Sequence, residues 1–165
     1  MDFFEAANKV FKIDEGDGLA GREGYPYKDT YGNWTIGRGH LIGNSLFDLK
    51  LSEHMIEELF REDLGIAIRE ARFVVGGSFF DALPQARQVA LVSMLFTLGQ
   101  NKFLKFEETI DAMKRGDWGT VYDHILAAKW ARDVDPRQRP GEGRDDRVAY
   151  MFLTGKFHPE YKVTA

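Results

Sequence analysis

From Ser52 the chain carries an amphipathic pattern of helical period, and its length constrains what can lie on either side. Met55, Ile56, Leu59, Phe60, Leu64 and Ile68 recur at three- and four-residue steps, with Glu53 in the first turn and Gly76-Gly77 beyond the end. The spacing predicts a helix over 52–73, about 20 residues and ~30 Å, enough to join two lobes. Before it, residues 16–51 are rich in Gly, Tyr and Asp with short β-type runs, including the hairpin pattern Tyr25, Tyr27, a turn over 29–33, then Trp34, Thr35 and Ile36. The pair Gly37 and Gly39 lets the chain bend sharply there.

The remaining segments read as helices. Phe3, Phe4, Ala7, Val10 and Phe11 stripe a helix over 2–14 that Gly16 and Gly18 stop. After Pro84, the run QARQVALVSMLFTLG is apolar nearly all round and reads as the central buried helix. Residues 106–114 and 117–131 predict two amphipathic helices, Asp117 capping the second, and a last helix over 144–154 ends at Gly155. The expected class is α+β and predominantly helical: one domain over 1–165, with a small α+β lobe (16–51), a joining helix (52–73) and a helical lobe made of 1–15 and 78–165.

A chain of 165 residues with 44% hydrophobic content, thirteen Phe and three Trp can bury a full core. Cysteine is absent, which excludes disulfides, thiolate metal sites and a cysteine nucleophile. The net charge of −4 argues against nucleic acid as main partner. No basic n-region with an apolar h-region opens the chain, and no run is long enough to span a bilayer. A cytoplasmic protein without stable membrane association is expected, so a substrate outside the cytoplasm requires its release.

The stretch from Ile13 to Leu41 holds the chemistry. Asp14 and Glu15 fall where the first helix stops, and Asp29 and Thr35 fall on the hairpin. A carboxylate at a helix C-terminus opposes the helix dipole, at a cost of about 0.3–1 kcal/mol when exposed, which hints at a reason for the pair beyond stability. Carboxyl groups in unlike environments are what acid–base cleavage of a glycosidic bond requires. From the residues alone, a solvated helix end remains the alternative.

The runs I-D-E-G and Y-K-D-T-x-G-x-W-T-I-G-x-G-H-L resemble the T4-lysozyme-like family of phage endolysins. LSEHMIEELFREDL, MLFTLG and the segment from Trp130 to RVAYMFLTG extend the similarity over nearly the whole chain. The resemblance implies a lysozyme-like fold and a muramidase that cleaves the β-1,4 bond between N-acetylmuramic acid and N-acetylglucosamine in peptidoglycan, with inversion and without a cofactor. Glu15 is then the general acid, Asp29 acts on a water on the opposite sugar face, and Thr35 helps hold that water. Leu41, Phe96 and Thr97 line the substrate cleft. His40 pairs with Asp63 in a structural role, and Arg144 and Arg147 support Asp14 and Glu15. A monomer that lyses a host bacterium is expected.

More residues separate Glu15 from Asp29 than in the best-known relatives, and they bring a second E-G at Glu23. Glu23 is an alternative acid, although the helix-then-D-E-G context favours Glu15. The long loop 133–143 is expected to border the cleft with the 17–26 insertion. No metal is expected. The histidines lack ligand spacing, and an EF-hand opening at Asp133 fails because Gln138 and Arg144 stand where Gly and Glu belong. Two rivals share the scaffold. A lytic transglycosylase would need no water-holding pair, and an inactive wall-binding or virion structural domain would lack an acid or base.

Overall fold

The computed structural model describes residues 2–14, 24–29, 31–43, 51–134 and 143–163. In chain order these form α1 (Phe3–Asp14), β1 (Tyr27–Lys28), β2 (Trp34–Ile36), β3 (His40–Gly43), α2 (Glu53–Val75), α3 (Gly77–Ala82), α4 (Gln85–Leu98), α5 (Gln100–Phe103), α6 (Glu107–Arg115), α7 (Trp118–Ala127), α8 (Lys129–Val134) and α9 (Arg144–Thr154), followed by a 3-10 turn at Pro159–Tyr161. The class is α+β and predominantly helical. Two compact units divide it within α2, one over 2–66 and the other essentially over 67–165.

In the first unit the three strands form an antiparallel sheet in the order β1-β2-β3. Tyr27 pairs with Thr35 and Thr35 with Leu41, while a bulge at Trp34/Thr35 shifts the register. Gly37 and Gly39 turn β2 into β3 with φ of +60° and +83°, a region open to glycine at no steric cost. α1 docks in this unit through aromatic packing. The Phe60 ring on α2 lies 5.9 Å from that of Phe4 and 5.1 Å from that of Phe11. Arg38, only 2% exposed between the two turn glycines, donates to the Asn8 side-chain oxygen and sets its guanidinium over Phe60. The contacts therefore group α1 with Phe60 and with the turn between β2 and β3.

In the second unit α4 is the buried centre, with Ala86 and every residue from Val89 to Leu95 out of solvent. α9 packs against it and α7 against α9, carrying the buried Val121, Ile125, Val148, Met151 and Phe152. Asp117 caps α7 by accepting from the Thr120 N–H, and Gly155 ends α9 in the left-handed region, both as the sequence predicts. The single helix expected over 117–131 is instead two. Ala128 takes an extended backbone (ψ 151°), and the redirected chain buries Trp130 and Ala131. The 17–26 insertion, apart from Gly24 to Pro26, and most of the 133–143 loop lie outside the described residues.

Candidate active site

The turn Asp29–Asn33 is built to hold a carboxylate. Asp29 N–H donates to the Asn33 carbonyl (3.0 Å) and Gly32 N–H to the Asp29 carbonyl (3.0 Å), with Gly32 at φ +82°. The Asp29 side chain closes the turn from within. Its Oδ1 accepts from the backbone N–H of Tyr31 (2.9 Å) and of Asn33 (2.8 Å), and its Oδ2 accepts from the Asn33 side-chain amide (3.1 Å). Partial burial pushes the carboxyl upward, but the bonds from Asn33, Tyr31 and Gly32 outweigh it and hold the pKa below the usual carboxylate value. The turn therefore favours the ionised form of this carboxyl.

Thr35 joins the same turn. It is 3% exposed, and its hydroxyl donates to the Asn33 carbonyl at 3.3 Å. Cross-strand pairing sets Tyr27 and Leu41 on either side of it, and Leu41, 60% exposed, offers an apolar surface beside the buried hydroxyl. Asp14 is the last residue of α1 and half-buried. Glu15, Glu23 and the chain between them lie outside the described residues.

The other predicted residues have definite settings. His40 Nδ1 on β3 lies 2.8 Å from Asp63 Oδ2 on α2, which ties the sheet to that helix. In the second unit Arg144 and Arg147 are buried rather than solvated. Arg144 donates to the hydroxyls of Ser93 (3.2 Å) and Thr97 (2.7 Å), and Thr97 in turn donates to the Ser93 carbonyl (2.9 Å). Arg147 donates to the Tyr161 hydroxyl (3.2 Å) and pairs with Glu160 (3.1 Å). Phe96, next to Thr97 on α4, is half-buried.

A cavity of about 470 Å³ in the first unit lies away from this chemistry. Ile36, His40 and Ile42 line it, so it faces the opposite side of β3 from Leu41 by strand alternation. Among the described residues, no three His, Asp or Glu side chains converge as metal ligands. Asn33 and Arg38 are the participants that the sequence did not single out. An exposed turn asparagine carries no distinctive signal, and an arginine between two glycines reads as part of a bend.

A turn carboxylate favoured in its charged form, with a buried hydroxyl bonded to the same turn, in an α+β helical scaffold, suits a glycoside hydrolase. The phage lysozyme family model matches residues 18–142, and the chain belongs to that family. Probable T4-type lysozyme 2 of Dictyostelium discoideum is 27% identical over 93% of this chain and 96% of its own. Probable T4-type lysozyme 1 of the same organism is 26% identical over 88% and 92%. The pre-baseplate central spike protein Gp5 of Enterobacteria phage T4 is 29% identical over 78% of this chain, a match that covers 25% of that longer protein. The fold is therefore lysozyme-like and the activity, at family level, that of a lysozyme acting on peptidoglycan.

Proposed function

We propose that this chain hydrolyses the β-1,4 bond between N-acetylmuramic acid and N-acetylglucosamine with inversion at the anomeric carbon. Glu15 donates its proton to the leaving glycosidic oxygen. Asp29 takes a proton from a water on the opposite face as that water's oxygen bonds to the anomeric carbon, and Thr35 holds the water. One water is consumed, and proton exchange with solvent resets both carboxyls. Inversion needs the two carboxyls roughly 6.5–9.5 Å apart, to leave room for the water.

The observation that carries this reading is the Asp29 turn, with a carboxylate held ionised and the Thr35 hydroxyl bonded to the same residue, Asn33. Leu41, Phe96 and Thr97 contact the glycan; Asp14, His40, Asp63, Arg144 and Arg147 support the site. The protein acts as a monomeric, cofactor-free phage endolysin, held in the host cytoplasm until the membrane opens. Among the described residues no helix is long and apolar enough to cross a membrane.

The test is turbidity loss of purified peptidoglycan with mass spectrometry of the fragments, comparing wild type with Glu15→Gln, Glu23→Gln and Asp29→Asn. Reducing-end muramic acid products that vanish in Glu15→Gln and Asp29→Asn but persist in Glu23→Gln are expected. Anhydro products would move the chain to the transglycosylases, and binding without cleavage to the wall-recognition proteins.

A further inference from the structure

We propose that Asn33 is a positioning residue whose side-chain amide fixes the Asp29 carboxylate against the Thr35 hydroxyl. This rests on the reading of Asp29 as the group that activates water. The polar anchoring of both side chains converges on residue 33. Its carbonyl accepts from the Asp29 N–H and the Thr35 hydroxyl, its N–H donates to Asp29 Oδ1, and its amide donates to Asp29 Oδ2.

These bonds differ in what they control. The backbone N–H groups of Tyr31 and Asn33 grip Oδ1, and the Gly32 N–H adds to the hold on the carboxyl. The amide is the side-chain donor to Oδ2 and opposes rotation of the carboxylate about Oδ1. An ionised carboxylate has no proton to donate, so the bond to Oδ2 requires the NH₂ end of the asparagine. The carbonyl that holds Thr35 belongs to the same residue, so one short unit sets the direction of both groups that face the water.

The mutable part is the amide alone. Asn33 is exposed and lies outside the left-handed region, so alanine fits its backbone and the main-chain bonds persist. The charged neighbour on β1 is Lys28, whose ammonium lies 5.5 Å from the centroid of the Trp34 ring. Glu15, the acid of the reaction, governs the opposite limb of the pH profile.

The experiment compares wild type with Asn33→Ala, Asn33→Gln, Asn33→Asp and Asp29→Asn. Its readouts are kcat and KM on soluble peptidoglycan fragments, the pH profile of kcat/KM, and an NMR titration of the Asp29 carboxyl. Asn33→Ala is expected to lower kcat about tenfold, the scale of one hydrogen bond to a charged group. KM stays unchanged, while the acid limb and the Asp29 titration midpoint move to higher pH. Asn33→Gln, with the amide on a longer arm, recovers part of kcat. Asn33→Asp moves the acid limb further upward, because a like charge disfavours the ionised carboxylate. A kcat within twofold of wild type with an unmoved NMR midpoint, or a change in KM alone, would overturn the proposal. Asp29→Asn separates the two levels. If it is inactive while Asn33→Ala is normal, only the role of Asn33 fails. If it keeps the full rate, the reading of Asp29 as the base fails, and the NMR midpoint alone decides whether the amide tunes the carboxyl.

Discussion

In the turn Asp29–Asn33, burial and hydrogen bonding act on one carboxyl in opposite directions, and the hydrogen bonds win. A folded pKa below the unfolded one means that folding favours the ionised form. That contribution is fully present above the unfolded value and is lost as pH falls through the folded one. The stability gap between wild type and Asp29→Ala, measured by urea unfolding, is therefore expected near neutrality and closes in acid below the usual carboxylate range. In the proposed mechanism catalysis follows the same charge. Asp29→Asn keeps the shape and removes the base, with an expected loss of about 10²–10⁴ in kcat on peptidoglycan fragments. The placement of Asp29 and Thr35 on one hairpin was legible in the sequence because the β-type runs and turn residues form a pattern, while their roles come from the resemblance. Asn33 was not, because what distinguishes it is a bond between two side chains of the same tight turn, and many turns contain an asparagine.

Among the elements, α1 and the hairpin matter most, since one ends at Asp14 and the other presents Asp29 and Thr35. Phe60 grips α1 through Phe4 and Phe11, and Arg38 bonds to Asn8 from between the two turn glycines. Removing Arg38 strips a charge-assisted hydrogen bond and the packing of its guanidinium over Phe60. Arg38→Ala is expected to cost about 1.5–3 kcal/mol in chemical denaturation. It also lowers kcat by loosening the link between α1 and the sheet. A double-mutant cycle with Asn8→Ala should show strong coupling, and additive effects would contradict the clamp. Helices over 3–14, 53–75, 85–98 and 144–154 were readable from periodicity and glycine stops. The break at Ala128 was not, because tertiary demand to bury Trp130 overrides a sequence that reads on as a helix. β3 escaped notice because four residues ending in glycine show little alternation. The side on which α1 docks depends on contacts far apart in sequence, which periodicity does not encode.

At the scale of the whole molecule, a net charge of −4 meets, in the proposed reaction, a substrate whose stem peptides carry carboxylates. Long-range repulsion then slows encounter, and salt screens it over a Debye length of about 10 Å at 0.1 M. Turbidity assays from low to moderate ionic strength should show kcat/KM rising with salt, and a steady fall would place a local basic surface in control. α1 and the hairpin both belong to the unit over 2–66. The account's central claim is inverting hydrolysis by water held at Asp29. The most direct measurement is the anomeric configuration of the reducing sugar released in the first turnovers, read by NMR before mutarotation. The α-anomer is predicted. The β-anomer, or a 1,6-anhydro sugar, would contradict it.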